Sequence, residues 1–141
     1  MQPDMTSGAA SRIHSDVLDI TGRFPEAREV IIFPPGMPWQ GGMFQRPQQL
    51  ARALAWHGAL VFYQQPHDTW PEGFLEIEDR LFVGQAPASR FRDLPRAWVH
   101  ALTWNLPQLA GYPAQQVIYD VIDNLDVFQG SPGRLRRNHE R

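Results

Sequence analysis

The chain contains no cysteine and no lysine. Without cysteine there is no disulfide framework, no thiolate nucleophile and no thiolate metal site. All 13 basic residues are arginine, which excludes a Schiff-base lysine and the lysine of a Walker-type phosphate loop. Charge of one sign is equally scarce. A formal net charge of −2, with no long basic run, leaves no electrostatic footprint for nucleic acid or for an anionic lipid surface. No apolar run reaches the roughly 18 residues of a membrane-spanning helix, and residues 1–28 lack the apolar core of a secretory signal. A cytoplasmic protein without a transmembrane segment is therefore expected. What is present is core material: 43% apolar and 11% aromatic residues in a chain of 141, suited to one globular domain.

Residues 1–10 are small and polar and predict a tail. Ile13, Val17, Leu18 and Ile20 fall at helix-like spacing, with Thr21 and Gly22 to end such a helix. Residues 1–28 are thus expected as a disordered or weakly helical extension, ahead of a domain over 29–141.

That domain opens on Glu29–Phe33, a short β-branched run typical of a strand buried on both faces. Pro34 and Pro35 stop it, since neither donates to a ladder. A loop over 36–42 contains three glycines. Pro47 suits a first helical turn, Leu50, Ala51, Leu54 and Ala55 make one apolar stripe, and Gly58 fits a left-handed terminating position. Residues 59–63 (ALVFY) form a second continuous apolar run. Strand, glycine loop, helix, glycine and strand define a βαβ unit, which requires a parallel pairing with a right-handed crossover. The expected class is α/β, a Rossmann-like three-layer domain with a mainly parallel sheet.

Further on, residues 74–78 (FLEIE) and 81–84 (LFVG) predict a hairpin or one strand broken by a turn at Asp79-Arg80. Residues 86–96 read as a loop with room for one helical turn. Residues 97–104 predict a third core strand, 106–112 a short helix, and 116–122 a last buried strand. Residues 134–141 read as the opening of a helix.

Several residues carry candidate chemistry. Gly41 and Gly42 sit where a ligand would lie at the carboxyl end of a parallel strand, ahead of a helix N-terminus that favours anionic oxygens; the alternative is an ordinary turn. No G-x-G-x-x-G follows the strand, which disfavours a dinucleotide site. Arg46 is poorly placed for the helix dipole, so it is expected either to fork onto a phosphate or carboxylate or to be solvated or paired with a loop acid. Trp39 offers a face to a sugar, or a lid over the sheet edge. His100 lies in an apolar run, as a hydrogen-bonded core residue or as an acceptor-side base. His57 is explained by a helix C-terminus. Asp120 and Asp123 flank the carboxyl end of the last strand, on opposite faces by period-two alternation, and act as ligand contacts or as turn and cap residues. No histidine or glutamate completes a metal site with them, and no G-x-S-x-G elbow or Ser-His-Asp set is present.

Two stretches carry a resemblance. Residues 41–63 (GGMFQRPQQLARALAWHGALVFY) resemble the start of group 1 glycosyltransferases of the GT-B architecture, in which a Gly-Gly loop leads into a helix reading L-A-x-x-L-A-x-x-G. Gly41, Gly42, Leu50, Ala51, Leu54, Ala55 and Gly58 match that pattern. Pro35, Trp39, Gln45, Arg46, Pro47, Gln48 and Gln49 are similar to a bacterial subgroup. Residues 117–128 (VIYDVIDNLDVF) resemble its Y-D-x-x-D-D strand at Tyr119, Asp120, Asp123 and Phe128, with Asn124 in place of the second aspartate of the pair.

The resemblance implies the acceptor-side, amino-terminal half of a GT-B fold, and a nucleotide-sugar as co-substrate with no metal or other cofactor. It implies Gly41, Gly42 and Arg46 beside the donor phosphates, and Trp39, Gln45, Asp120 and Asp123 on the acceptor side. His100 is the candidate catalytic base. The carboxyl-terminal donor domain has no counterpart within 141 residues, so the chain is expected to be inactive without a second domain or partner chain. Transfer of a sugar to a saccharide, lipid-linked or small-molecule acceptor is one expectation; a non-catalytic Rossmann-like binding module is the other.

Overall fold

The chain enters the fold through two short elements. In the computed structural model, which describes residues 13–14, 16–40, 45–66, 71–94, 96–102, 105–112 and 116–120, Ile13–His14 forms a strand, β1, and Val17–Gly22 a helix, α1. Asp16 caps that helix by accepting the Leu18 N–H at 2.9 Å, which satisfies one of its orphan donors. Val17 and Ile20 are fully buried in the main core. Of the extension expected over 1–28 as disordered or weakly helical, Val17–Gly22 is a helix whose Val17 and Ile20 lie in the core.

The βαβ unit follows as Val30–Phe33 (β2), Arg46–Trp56 (α2) and Leu60–Gln64 (β3). Every residue of both strands is buried, and the pair is parallel, Val30 beside Leu60 through Phe33 beside Tyr63. The helix ends in a Schellman motif: Gly58 adopts φ +98°, its N–H donates to Ala55 O, and the Ala59 N–H donates to Leu54 O. A left-handed position suits glycine. Ala51 and Ala55 seat α2 on the sheet because both are small and buried.

Gly73–Glu78 (β4) and Leu81–Gln85 (β5) form an antiparallel hairpin with an irregularity between Glu76 and Glu78. Arg80 turns it at φ 64°. β5 runs parallel beside β3, so an extra strand, in place of a helix, makes that crossover. Gly84 is obligatory there. A Cβ on it would collide with the Gly73 carbonyl and lie 2.7 Å from Phe74 Cα. A 3-10 turn at Ala88–Phe91 leads to Ala97–Ala101 (β6), and a second at Leu106–Gly111 leads to Gln116–Tyr119 (β7).

The sheet order is β1-β4-β5-β3-β2-β6-β7. Only the β1–β4 and β4–β5 pairs are antiparallel; β5, β3, β2, β6 and β7 run parallel. Taken in chain order, the parallel strands lie third, second, first, fourth and fifth, the doubly wound arrangement of Rossmann-like sheets. Alternate residues feed two cores. Ile32, Phe62, Phe82 and Val99 pack with α1 and Phe91 on one face, and Ile31, Phe33, Val61 and Val83 pack with α2 on the other. Burial on both faces explains the unbroken apolar runs of the central strands. The fold is α/β and mainly parallel, compatible with a Rossmann-like domain.

Candidate functional site

The strand order reverses between β2 and β6, because β3 flanks β2 on one side and β6 on the other. In open parallel sheets the crevice at the carboxyl ends of such strands is where ligands sit. Three charged or titratable side chains meet there from three elements. Arg46, the first residue of α2, places Nη2 2.9 Å from Asp120 Oδ1. The other oxygen of Asp120 lies 3.4 Å from His100 Nε2. His100 is the penultimate residue of β6, and Asp120 extends the ladder past β7 through its N–H to Ala101 O at 2.9 Å.

Burial differs sharply across the trio. The His100 side chain is 1% exposed, Asp120 9% and Arg46 61%. His100 stacks on Phe33, with ring centroids 4.4 Å apart. Burial lowers its pKa below the ordinary 6.5, and the carboxylate of Asp120 offsets part of that effect while Arg46 adds to it. The imidazole is thus neutral at pH 7, a donor that fixes one oxygen of Asp120 and leaves the carboxylate facing Arg46. The exposed guanidinium has N–H groups beyond the one engaged, so the pair can take a second anion or a sugar hydroxyl.

The rim beside this trio is aromatic. Phe33 stacks on Tyr63 at 5.5 Å, and Trp39 meets Tyr63 edge-on at 5.1 Å. The loop after β2 is pinned from three directions: Tyr63 Oη donates to Met37 O at 2.7 Å, the Trp39 N–H donates to Gln65 Oε1 at 2.8 Å, and Gln48 Nε2 donates to Pro38 O at 3.2 Å. Gln48 also accepts the Gln45 N–H at 3.1 Å. Burial raises the Tyr63 pKa, so its hydroxyl remains a donor.

The expected site residues therefore divide. Arg46, Asp120 and His100 come together. Trp39 is half-buried against Tyr63 of the central strand β3 and packs on the α2-side core. Gln45 is exposed at the start of α2. Gly41, Gly42 and Asp123 lie outside the described residues. Arg46 pairs with an acid, Asp120, which follows a strand and does not lie in the loop ahead of α2. Gln48 was legible only as part of a motif. Its burial and two hydrogen bonds make it a brace between the loop and the helix, and the spacing from Gln45 to Gln48, that of a capping box, was the available signal. Phe33 and Tyr63, core positions by their place in apolar strands, also line the site.

No family model, no curated protein and no solved structure matches this chain. Among the described residues no helix is long and apolar enough to cross a membrane, and no group of three or more His, Asp or Glu could hold a metal ion.

Proposed function

We propose that the chain is the acceptor-side domain of a GT-B-type glycosyltransferase, working with a second domain or chain that supplies most of the nucleotide-sugar site. One observation carries the proposal: residues from α2, β6 and the end of β7 converge as Arg46, Asp120 and His100 on the carboxyl-end crevice where a doubly wound sheet reverses order. Asp120 would accept a hydrogen bond from an acceptor hydroxyl. His100, at 1% exposure, is a positioning residue that orients that carboxylate. Arg46 would turn its free guanidinium edge to a donor phosphate, with Gly41 and Gly42 beside it, while Trp39, Gln45 and Asp123 border the acceptor. The co-substrate is a nucleotide-sugar, no metal takes part, and a cytoplasmic location belongs to the same proposal.

Binding by the chain itself is the test. Saturation-transfer NMR against a panel of mono- and disaccharides is expected to give signals that Asp120→Ala removes. Calorimetry with UDP- and GDP-sugars is expected to give dissociation constants of about 1 mM or weaker, weakened further by Arg46→Ala. A wild-type chain that contacts no saccharide, or binds a nucleotide-sugar tightly alone, would overturn the assignment.

A further inference from the structure

The opposite rim of the sheet carries a second groove. At the amino-terminal ends of β2, β6 and β7, Arg28, Glu29, Arg96, Trp98 and Gln116 line a space of about 350 Å³. It is built by the sheet: Trp98 stands beside Gln116 in the β6–β7 register, and the Val30 N–H donates to Arg96 O at 3.4 Å. Trp98 is half-buried, its inner part packed on the α2-side core, while the two arginines, Glu29 and Gln116 are exposed.

Two observations bear on these arginines. Arg23, Arg46, Arg52, Arg80 and Arg90 each face a carboxylate, whereas Arg28 and Arg96, like Arg92 elsewhere on the surface, make no ion pair among the described residues, with Glu29 lining the same groove. Arg96 moreover holds φ 56°, a left-handed conformation that glycine or asparagine adopts at less cost. A strained backbone bearing an unpaired guanidinium at a groove points to a ligand.

The chemistry selects its class. Two guanidiniums fork onto phosphate oxygens, an indole beside them stacks on a flat ring, and the Glu29 carboxylate and Gln116 amide can take hydroxyl or amino donors. The volume lies near the lower end of small-ligand sites, which suits a mononucleotide and is small for a dinucleotide. We propose that this groove binds a nucleoside monophosphate or a phosphate monoester of similar shape. The inference is independent of the glycosyltransferase proposal, since it concerns the other rim and stands whether or not a saccharide binds.

The test uses the full chain with AMP and UMP, and with inorganic phosphate and adenosine as the separate halves, followed by NMR at the Trp98 indole N–H and the Gln116 amide. Arg96→Gly is the decisive variant, because glycine adopts the left-handed conformation without strain while the guanidinium is lost with the rest of the side chain. Shifts at Trp98 with the nucleotides are expected, with each half binding more weakly than the whole. Arg96→Gly should weaken nucleotide binding about tenfold or more. No shift at millimolar nucleotide, inorganic phosphate binding as tightly as AMP, or an unchanged affinity in Arg96→Gly would each overturn the proposal. So would loss of nucleotide binding in Arg46→Ala alone, which would move the site to the other rim.

Discussion

Arg46 and Asp120 meet at 2.9 Å across the carboxyl-end crevice, one from the first residue of α2 and the other from the residue after β7. A guanidinium at a helix N-terminus opposes the dipole, and the carboxylate compensates it. The same carboxylate faces His100, so one aspartate couples a solvent-facing cation to a ring in the core.

Replacing Asp120 with asparagine should lower the His100 pKa further. The hydrogen bond and the charge of Asp120 both raise it against burial, so their loss leaves desolvation less opposed. An NMR titration of the His100 ring in both proteins measures this, and a rise in the variant would contradict the balance described.

Stability should decline as pH falls below about 6.5. Burial holds the folded pKa of His100 below the ordinary 6.5, so between the two values the unfolded chain binds more protons. The contribution is complete above the unfolded value and is lost as pH drops from there toward the folded one. Urea midpoints at about pH 7.5 and 5.5 should differ in the wild type, and His100→Gln should reduce that difference.

Gln48→Ala should cost about 1–3 kcal/mol of stability, the range for leaving buried polar groups without partners. The side chain is 2% exposed and serves both the Gln45 N–H and Pro38 O. Chemical denaturation gives the cost, and Gln49→Ala on the exposed side of the same turn should cost less.

Gly84→Ala should destabilise by about 1–3 kcal/mol or more, since the added methyl overpacks against backbone. Its nearest atoms are the Gly73 carbonyl and Phe74 Cα, which cannot rotate away as a side chain could. A denaturation midpoint equal to that of the wild type would contradict the close β4–β5 approach.

The parallel core was legible because its signals are local. Val30–Phe33 and Leu60–Tyr63 are apolar at consecutive positions, and Gly58 ends α2 by the backbone rule that glycine alone meets easily. The hairpin at Asp79-Arg80 is one of two options in the sequence, and the antiparallel pairing of β4 with β5 is what makes it one. β1 was hidden: two residues carry no period, and Ile13–His14 becomes a strand only because β4 lies beside it. The site was half visible. Arg46, His100 and Asp120 stood out by residue type, but their meeting depends on β6 and β7 lying side by side, which spacing along the chain does not encode. The braces at Gln48 and Gln65 were less visible, because glutamine in a sequence reads as surface until its partners are known.

The bend after β2 has its Met37, Pro38 and Trp39 backbone groups tied to Tyr63, Gln48 and Gln65. Such a wall cannot swing to admit and then enclose a guest. Little conformational freedom remains at these three residues to be surrendered when a molecule arrives.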